Sequence, residues 1–246
     1  MPCDGPASSS RAPAFDIVER SLVVSSAGRS VPAALWLPAR ALGRPLVLVG
    51  HGGSGDKRSA FVTDVLPTLV GRCGFAVAAI DGPVHGERRR DAAAPLEVRD
   101  EFRRLWEQGG SVEPMVEDWL CTLETLRALP EVDADRVGYY GLSMGTAYGL
   151  PLLAACGGIR AAAIGMWGTS RVHGARLAAD ARQVRCPTLF SLQWDDEVFT
   201  REGQFELFDA LACTDKHMLV YPGGHLNPAG RRLESIVQFL ASQLSA

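Results

Sequence analysis

A chain of 246 residues, 47% hydrophobic and 22% charged, is long enough for one large α/β domain with a substantial core or for two small ones. Its formal net charge of −3 gives no basic excess, which argues against electrostatic binding to nucleic acid or to an anionic membrane. No apolar run has the length of a membrane-spanning helix. Cys3, Cys73, Cys121, Cys156, Cys186 and Cys213 lack CxxC spacing, so reduced and mostly buried thiols are expected.

The stretch from Met1 to Arg11 has no apolar core of a secretory signal, and residues 1–14 read as a disordered leader of a cytoplasmic protein. Order is expected from Phe15, with residues 15–246 forming a single domain. Ile17–Val24 and Val31–Leu37 are strand-like runs joined by a glycine turn, a hairpin at a sheet edge. Pro45–Gly50 is continuously apolar, as a central strand covered on both faces must be, and opens into His51-Gly52-Gly53-Ser54-Gly55. A helical stretch through Phe61, Val65, Leu66 and Leu69 leads to the buried strand Phe75–Ile80 and the turn from Asp81 to Arg88.

Residues 88–112 are rich in charge, yet Val98, Phe102, Leu105 and Trp106 have the spacing of an amphipathic helix. The segment is either a partial lid over a site or a solvated surface excursion. A helix over Pro114–Leu129 precedes a strand from Val137 into Ser143, a helix to Cys156 and a strand over Ala161–Met166. Gly168–Arg182, polar and rich in small residues, is a second candidate for a pocket rim. Thr188–Leu192 and His217–Tyr221 are further strands, with helices over Arg201–Leu211 and Arg231–Leu244. This alternation, with no internal repeat or dividing linker, predicts a mostly parallel sheet with helices on both faces.

In such a sheet ligands bind beyond the carboxyl ends of the strands, so the loops that follow the strands carry the chemistry. Gly141-Leu142-Ser143-Met144-Gly145 fits a sharp strand-to-helix turn, strained at the serine and with glycines where a side chain would collide. Such a turn lifts the hydroxyl clear of the sheet and aims the first N–H groups of the helix at whatever it attacks. Alone, the pattern also reads as a glycine-rich turn with an incidental serine. Later loops add Trp194-Asp195-Asp196-Glu197 and Gly223-Gly224-His225-Leu226. A serine needs an imidazole to take its proton, and the imidazole needs a carboxylate to fix its tautomer. Serine, acid and histidine occur in that chain order, each just after a strand.

From Phe15 onward the sequence resembles an α/β-hydrolase, and within that superfamily the small dienelactone hydrolase-like or prolyl-oligopeptidase-like esterases. The resemblance is carried by His51-Gly52-Gly53, the turn from Asp81 to Arg88, Gly141-Leu142-Ser143-Met144-Gly145 and Pro222-Gly223-Gly224-His225. It implies an α/β-hydrolase fold with about eight strands, Ser143 as nucleophile, His225 as general base and the backbone N–H groups of Gly53 and Met144 as oxyanion hole. The family's acid loop runs Gly-x-x-Asp-x-x-Val. Gln193 stands where that glycine would be, and the same step leads to Asp196, with Asp195 the alternative. One of the two would instead cap the helix that follows Val198.

By the same similarity His51 braces its loop. His85 lies in a tight turn where Asp81 and Arg88 can interact locally, with lining of the pocket as its other reading, while His173 and His217 read as loop or surface residues. Trp106, Trp167 and Trp194 border the pocket or belong to the core. No cluster has metal-ligand spacing, and neither a phosphate loop nor a dinucleotide fingerprint is complete, so no metal and no cofactor is expected. The expected activity is hydrolysis of a carboxylic ester, lactone or thioester through an acyl-enzyme. Acyl transfer or thioester cleavage on a biosynthetic intermediate, and a non-catalytic small-molecule receptor on the same fold, remain as alternatives. The expected partner is a small molecule, without nucleic acid or membrane and with a homodimer left open.

Overall fold

The computed structural model describes residues 16–245. The expected leader, Cys3 and Phe15 lie outside the described residues. The first two strands, β1 (Ile17–Ser26) and β2 (Arg29–Pro38), form an antiparallel hairpin. Its two-residue turn has positive φ at both positions, 46° at Ala27 and 80° at Gly28, the geometry whose twist matches that of the strands it joins. The remaining strands are β3 (Arg44–Gly50), β4 (Ala76–Ile80), β5 (Val132–Leu142), β6 (Ile159–Gly165), β7 (Thr188–Gln193) and β8 (Lys216–Tyr221). The eight strands make one sheet in the order β1-β2-β4-β3-β5-β6-β7-β8, with β2 antiparallel to β1 and β4, and the other pairings parallel.

The apolar runs are explained by the two cores. Leu46 and Leu48 of β3 enter one core while Val47 and Val49 enter the other, on the opposite face, so every position of this strand must be apolar. Tyr139 and Tyr140 of β5 divide in the same way. One face is covered by α3 (Pro95–Gln108), α4 (Val112–Arg127), α5 (Met144–Ala155) and α6 (Gly174–Ala181). The other is covered by α1 (Ala60–Thr63), α2 (Leu66–Leu69) and α8 (Arg231–Ser245). The remaining helix, α7 (Arg201–Ala210), is capped by Thr200, whose side chain accepts from the Gly203 N–H.

Two expectations are corrected. The helical stretch over 61–69 is split into α1 and α2, because Pro67 has no N–H for a continuous helix and falls in the first turn of α2, where none is needed. The strand before Ser143 begins at Val132, earlier than the expected Val137. Its polar start, with Asp133 holding the Arg136 side chain, hides a strand that pairs with β3 across a register shift. Among the described residues no helix is long and apolar enough to cross a membrane.

The order of the strands reverses between β3 and β5, and a crevice opens at such a point. The register pairs Gly50 with Gly141, so the loop after β3 and the loop after β5 leave the sheet side by side. Here α5 approaches β3 closely. A Cβ on Gly145 would overlap the Gly50 carbonyl oxygen, which is backbone and has no rotamer to change. Gly145→Ala is therefore expected to lower the unfolding free energy by about 1–3 kcal/mol, as overpacking of a filled core does, measurable as an earlier urea midpoint at unchanged slope.

Candidate active site

At the end of β5 the chain turns directly into α5, and Ser143 takes φ 57° and ψ −121°, a conformation that costs a non-glycine residue roughly 1–3 kcal/mol. The surroundings hold it there. The Ser143 N–H donates to Gly165 O at 3.0 Å. The Thr146 hydroxyl accepts from the Gly165 N–H at 2.8 Å and lies 2.6 and 2.9 Å from the carbonyls of Gly165 and Gly141. Tyr139 Oη donates to Gly145 O at 2.6 Å.

The Ser143 Oγ lies 2.9 Å from His225 Nε2, and His225 Nδ1 lies 2.9 Å from Asp196 Oδ2. The Asp196 side chain is fully buried, while that of His225 is 18% exposed. Burial pushes the Asp196 carboxyl up. The hydrogen bond from His225, the charge of that ring and the N–H groups of Phe199 and Val198 outweigh it and hold the carboxyl below its ordinary range. The partnership sets the ring's tautomer: Nδ1–H donates to the carboxylate and Nε2 faces the hydroxyl as acceptor. Asp195 is exposed and its carboxylate takes the Gly223 N–H instead.

Ser143 and His225 line a cavity of about 290 Å³. Its walls include Gly52, Gly53 and Phe61 beside the serine, Met166 and Trp167 after β6, and Val198 and Phe199 after β7. The helix α3 supplies Arg99, Phe102, Arg103, Trp106 and Glu107. Within this segment Val98, Phe102 and Trp106 are buried, and Phe102 lies against Gly53. The C-terminal part of α3 is tied to the segment after β6 by Trp106 Nε1, which donates to Val172 O at 3.1 Å, and by His173 Nε2, 2.9 Å from Trp106 O. Trp194 is 48% exposed, stacks under Arg201 and does not line the cavity, a correction to its expected place. Among the described residues no group of three or more His, Cys, Asp or Glu side chains is placed to hold a metal ion.

No family model matches the chain. Among solved structures it is similar to a cold-adapted esterase from an Arctic intertidal metagenomic library, 35% identical with a TM-score of 0.82, covering 93% of this chain and 94% of that one. This chain belongs to the α/β-hydrolase superfamily. A dienelactone hydrolase from Anabaena variabilis, 19% identical with a TM-score of 0.67 and coverage of 93% and 97%, shares the fold. The alpha/beta hydrolase psoB of Aspergillus fumigatus is 31% identical over 137 residues, 52% of this chain but only 29% of that protein's length.

Behind the cavity, this α/β-hydrolase holds the loop after β3 from below. His51 Nδ1 donates to Gly52 O at 2.9 Å and its Nε2 accepts the Gly82 N–H at 2.9 Å, the bracing role expected for it. His85 is fully buried and does not line the cavity, contrary to one expectation; its Nε2 lies 3.0 Å from Gly53 O. Burial lowers both rings, to about 4 for His51 and, with repulsion from His51, to about 3 for His85, so neither is charged near neutral pH. Nor does Asp81 meet Arg88. Asp81 pairs with buried Lys57 at 2.6 Å and accepts the Lys57 and Glu87 N–H groups, while Arg88 turns to Asp118.

The side chain that sequence reasoning treated only as a departure, Gln193, proves to be a clasp. Its Nε2 donates to Leu226 O and its Oε1 accepts the Leu226 N–H at 3.2 Å. Glu197 adds a hydrogen bond from the His225 N–H at 2.9 Å. The acid loop and the histidine loop are therefore laced together on both sides of the Asp196–His225 contact. The signal available in the sequence was the amide itself, one of few side chains that donates and accepts at once. Replacing Gln193 by Leu removes both of these bonds, each worth about 1 kcal/mol, while the Leu226 N–H keeps Gly224 O at 2.8 Å, and an earlier urea midpoint at unchanged slope is expected.

Proposed function

We propose that this chain is a serine hydrolase that cleaves carboxylic esters through an acyl-enzyme, with Ser143 as nucleophile, His225 as general base and Asp196 as the carboxylate that orients it. The single observation that carries the reading is the chain of contacts from Ser143 Oγ through His225 to buried Asp196, 2.9 Å at each step. Its position at the mouth of a cavity supports a substrate of small-molecule size. The likeness to an esterase over nearly the whole chain supports the ester bond. No metal or cofactor is required, since nucleophile, base and acid are all side chains of the chain.

In the reaction Ser143 Oγ adds to the acyl carbon as its proton passes to His225 Nε2, and the carbonyl π electrons move onto oxygen. The imidazolium is steadied by Asp196. The oxyanion is held by the backbone N–H groups of Gly53 and Met144, neither of which has a hydrogen-bond acceptor among the described residues. Collapse of the adduct breaks the bond to the alkoxide, which leaves as the alcohol with the proton from His225. Water, deprotonated by the same ring, then attacks the acyl-serine, releases the carboxylic acid and restores the Ser143 hydroxyl. The complete set of three residues argues against a receptor that binds without turnover.

Ser143→Ala is expected to lower kcat on p-nitrophenyl esters by roughly a thousandfold or more with the urea midpoint retained, since the nucleophile acts as one unit with its base. A fluorophosphonate should label Ser143 and no other residue, as read by peptide mass spectrometry. The two aspartates are separated by their asparagine variants. Asp196→Asn removes the carboxylate that sets the tautomer and should cost roughly a thousandfold or more in kcat, whereas Asp195→Asn should retain most of it. The reverse ranking would assign the acid to Asp195.

A further inference from the structure

The cavity carries cationic side chains that bond cleavage does not use. Arg99 and Arg103, one turn apart on α3, line it together with Arg171, which comes from the segment between β6 and α6. Two separate elements thus bring guanidinium groups to one opening. Arg171 is held in place: its Nε and one Nη donate to Val198 O at 3.1 and 2.6 Å, and its guanidinium lies 5.7 Å from the Phe199 ring centre. Arg103, 46% exposed, makes no hydrogen bond among the described residues and has its paired carboxylate, Asp100, only at 3.5 Å. That carboxylate is shared with Arg99 at 3.2 Å. Burial lowers the Arg103 guanidinium pKa, and the charges of Arg99 and Arg171 add to the depression against the opposing pull of Asp100 and Glu107.

The lining holds three arginines against two carboxylates, Glu107 and Glu197, an excess of positive charge. Glu197 is turned to the histidine loop, where it accepts the His225 N–H. Like charges collected at a partly desolvated opening repel one another, and an anion among them relieves that repulsion. Guanidinium is the group suited to such a role, since its planar fork gives paired hydrogen bonds to a carboxylate. The rest of the wall near these arginines is aromatic, with Phe102, Trp106 and Phe199 available to an apolar stem.

We propose that Arg99, Arg103 and Arg171 form an anion subsite, and that the substrate is an ester carrying a free carboxylate on an apolar stem away from the bond that is cleaved. The proposal rests on the serine-hydrolase reading and narrows its substrate class. One arm of the cavity then fixes the carboxylate while Ser143 meets the ester carbonyl, so the anion contributes to orientation as well as to affinity.

The test compares two esters of equal acyl length, p-nitrophenyl pentanoate and the mono-p-nitrophenyl ester of glutaric acid, the second with a terminal carboxylate. At low ionic strength kcat/KM for the glutarate half-ester is expected to exceed that for the pentanoate by about tenfold or more, the scale of one charge-assisted hydrogen-bonded pair. That ratio should fall toward unity in Arg103→Gln and in Arg171→Gln, and it should shrink as salt is raised from roughly 0.02 to 0.5 M. Arg103→Gln is the sharper variant, because its side chain has no hydrogen bond whose loss would disturb the fold. Hydrolysis of both esters by the unaltered chain with a ratio at or below one overturns the subsite while leaving the serine hydrolase intact. A ratio above one that Arg103→Gln and Arg171→Gln leave unchanged also overturns it. Failure to hydrolyse either ester, with no fluorophosphonate label on Ser143, removes both readings together.

Discussion

The close approach of α5 to the end of β3 is the constraint on which the site depends. Gly145 meets the Gly50 carbonyl with no room for a Cβ, and Tyr139 fills the space beside it while bonding the Gly145 carbonyl. With the helix fixed so near the sheet, the chain can pass from strand to helix only through one residue with positive φ, and that residue is Ser143. Strain of roughly 1–3 kcal/mol at one position is sustained because the Ser143 N–H, the Thr146 hydroxyl and the Gly165 backbone over-determine the turn. The result is a hydroxyl set at the opening and a helix N-terminus immediately behind it.

The second half of the site is built by lacing loops rather than by a rigid turn. The end of β7 with the loop that follows it, and the residues after β8, exchange hydrogen bonds through Gln193, Asp195, Asp196 and Glu197, four nearly consecutive side chains with different partners. The division of labour between the two aspartates follows from burial. Asp196 is covered, accepts from His225 and from two backbone N–H groups, and so keeps its charge in spite of desolvation. Asp195 lies outside and closes the far end of the histidine loop. The buried Lys57–Asp81 pair plays a similar part for the loop after β3; removing Lys57 would leave the Asp81 carboxylate uncompensated in the interior, whereas Lys57 also meets Glu87 at 2.7 Å.

Above these fixed parts, α3 supplies one wall of the cavity. Its inward side chains are of two kinds, with Phe102 and Trp106 packed against the core and Arg99 and Arg103 at the opening. An amphipathic helix with a cationic margin placed over Ser143 brings apolar and charged side chains to one cavity in a single element. The link of α3 to Val172 and His173 makes that wall continuous with the segment that carries Arg171. On the proposed reading, chemistry sits on the sheet edge and selectivity on the covering elements, and the two can vary separately.

The sequence by itself determined the alternation of strands and helices, the two-faced burial of β3 and the order of serine, acid and histidine after their strands. It did so because apolar runs, glycine turns and strand-end polar residues are local signals of local geometry. It also carried the elbow, since glycines flanking a serine record the absence of space around it. Tertiary structure alone set Asp196 rather than Asp195 against His225, because adjacent carboxylates are chemically identical until one is buried against a ring from a loop 29 positions away. It alone assigned Gln193 its two bonds to Leu226, matched Asp81 with Lys57 rather than Arg88, and kept Trp194 out of the cavity. Those outcomes depend on which loops the sheet order brings side by side, and no spacing along the chain encodes a distance between segments that meet only after folding.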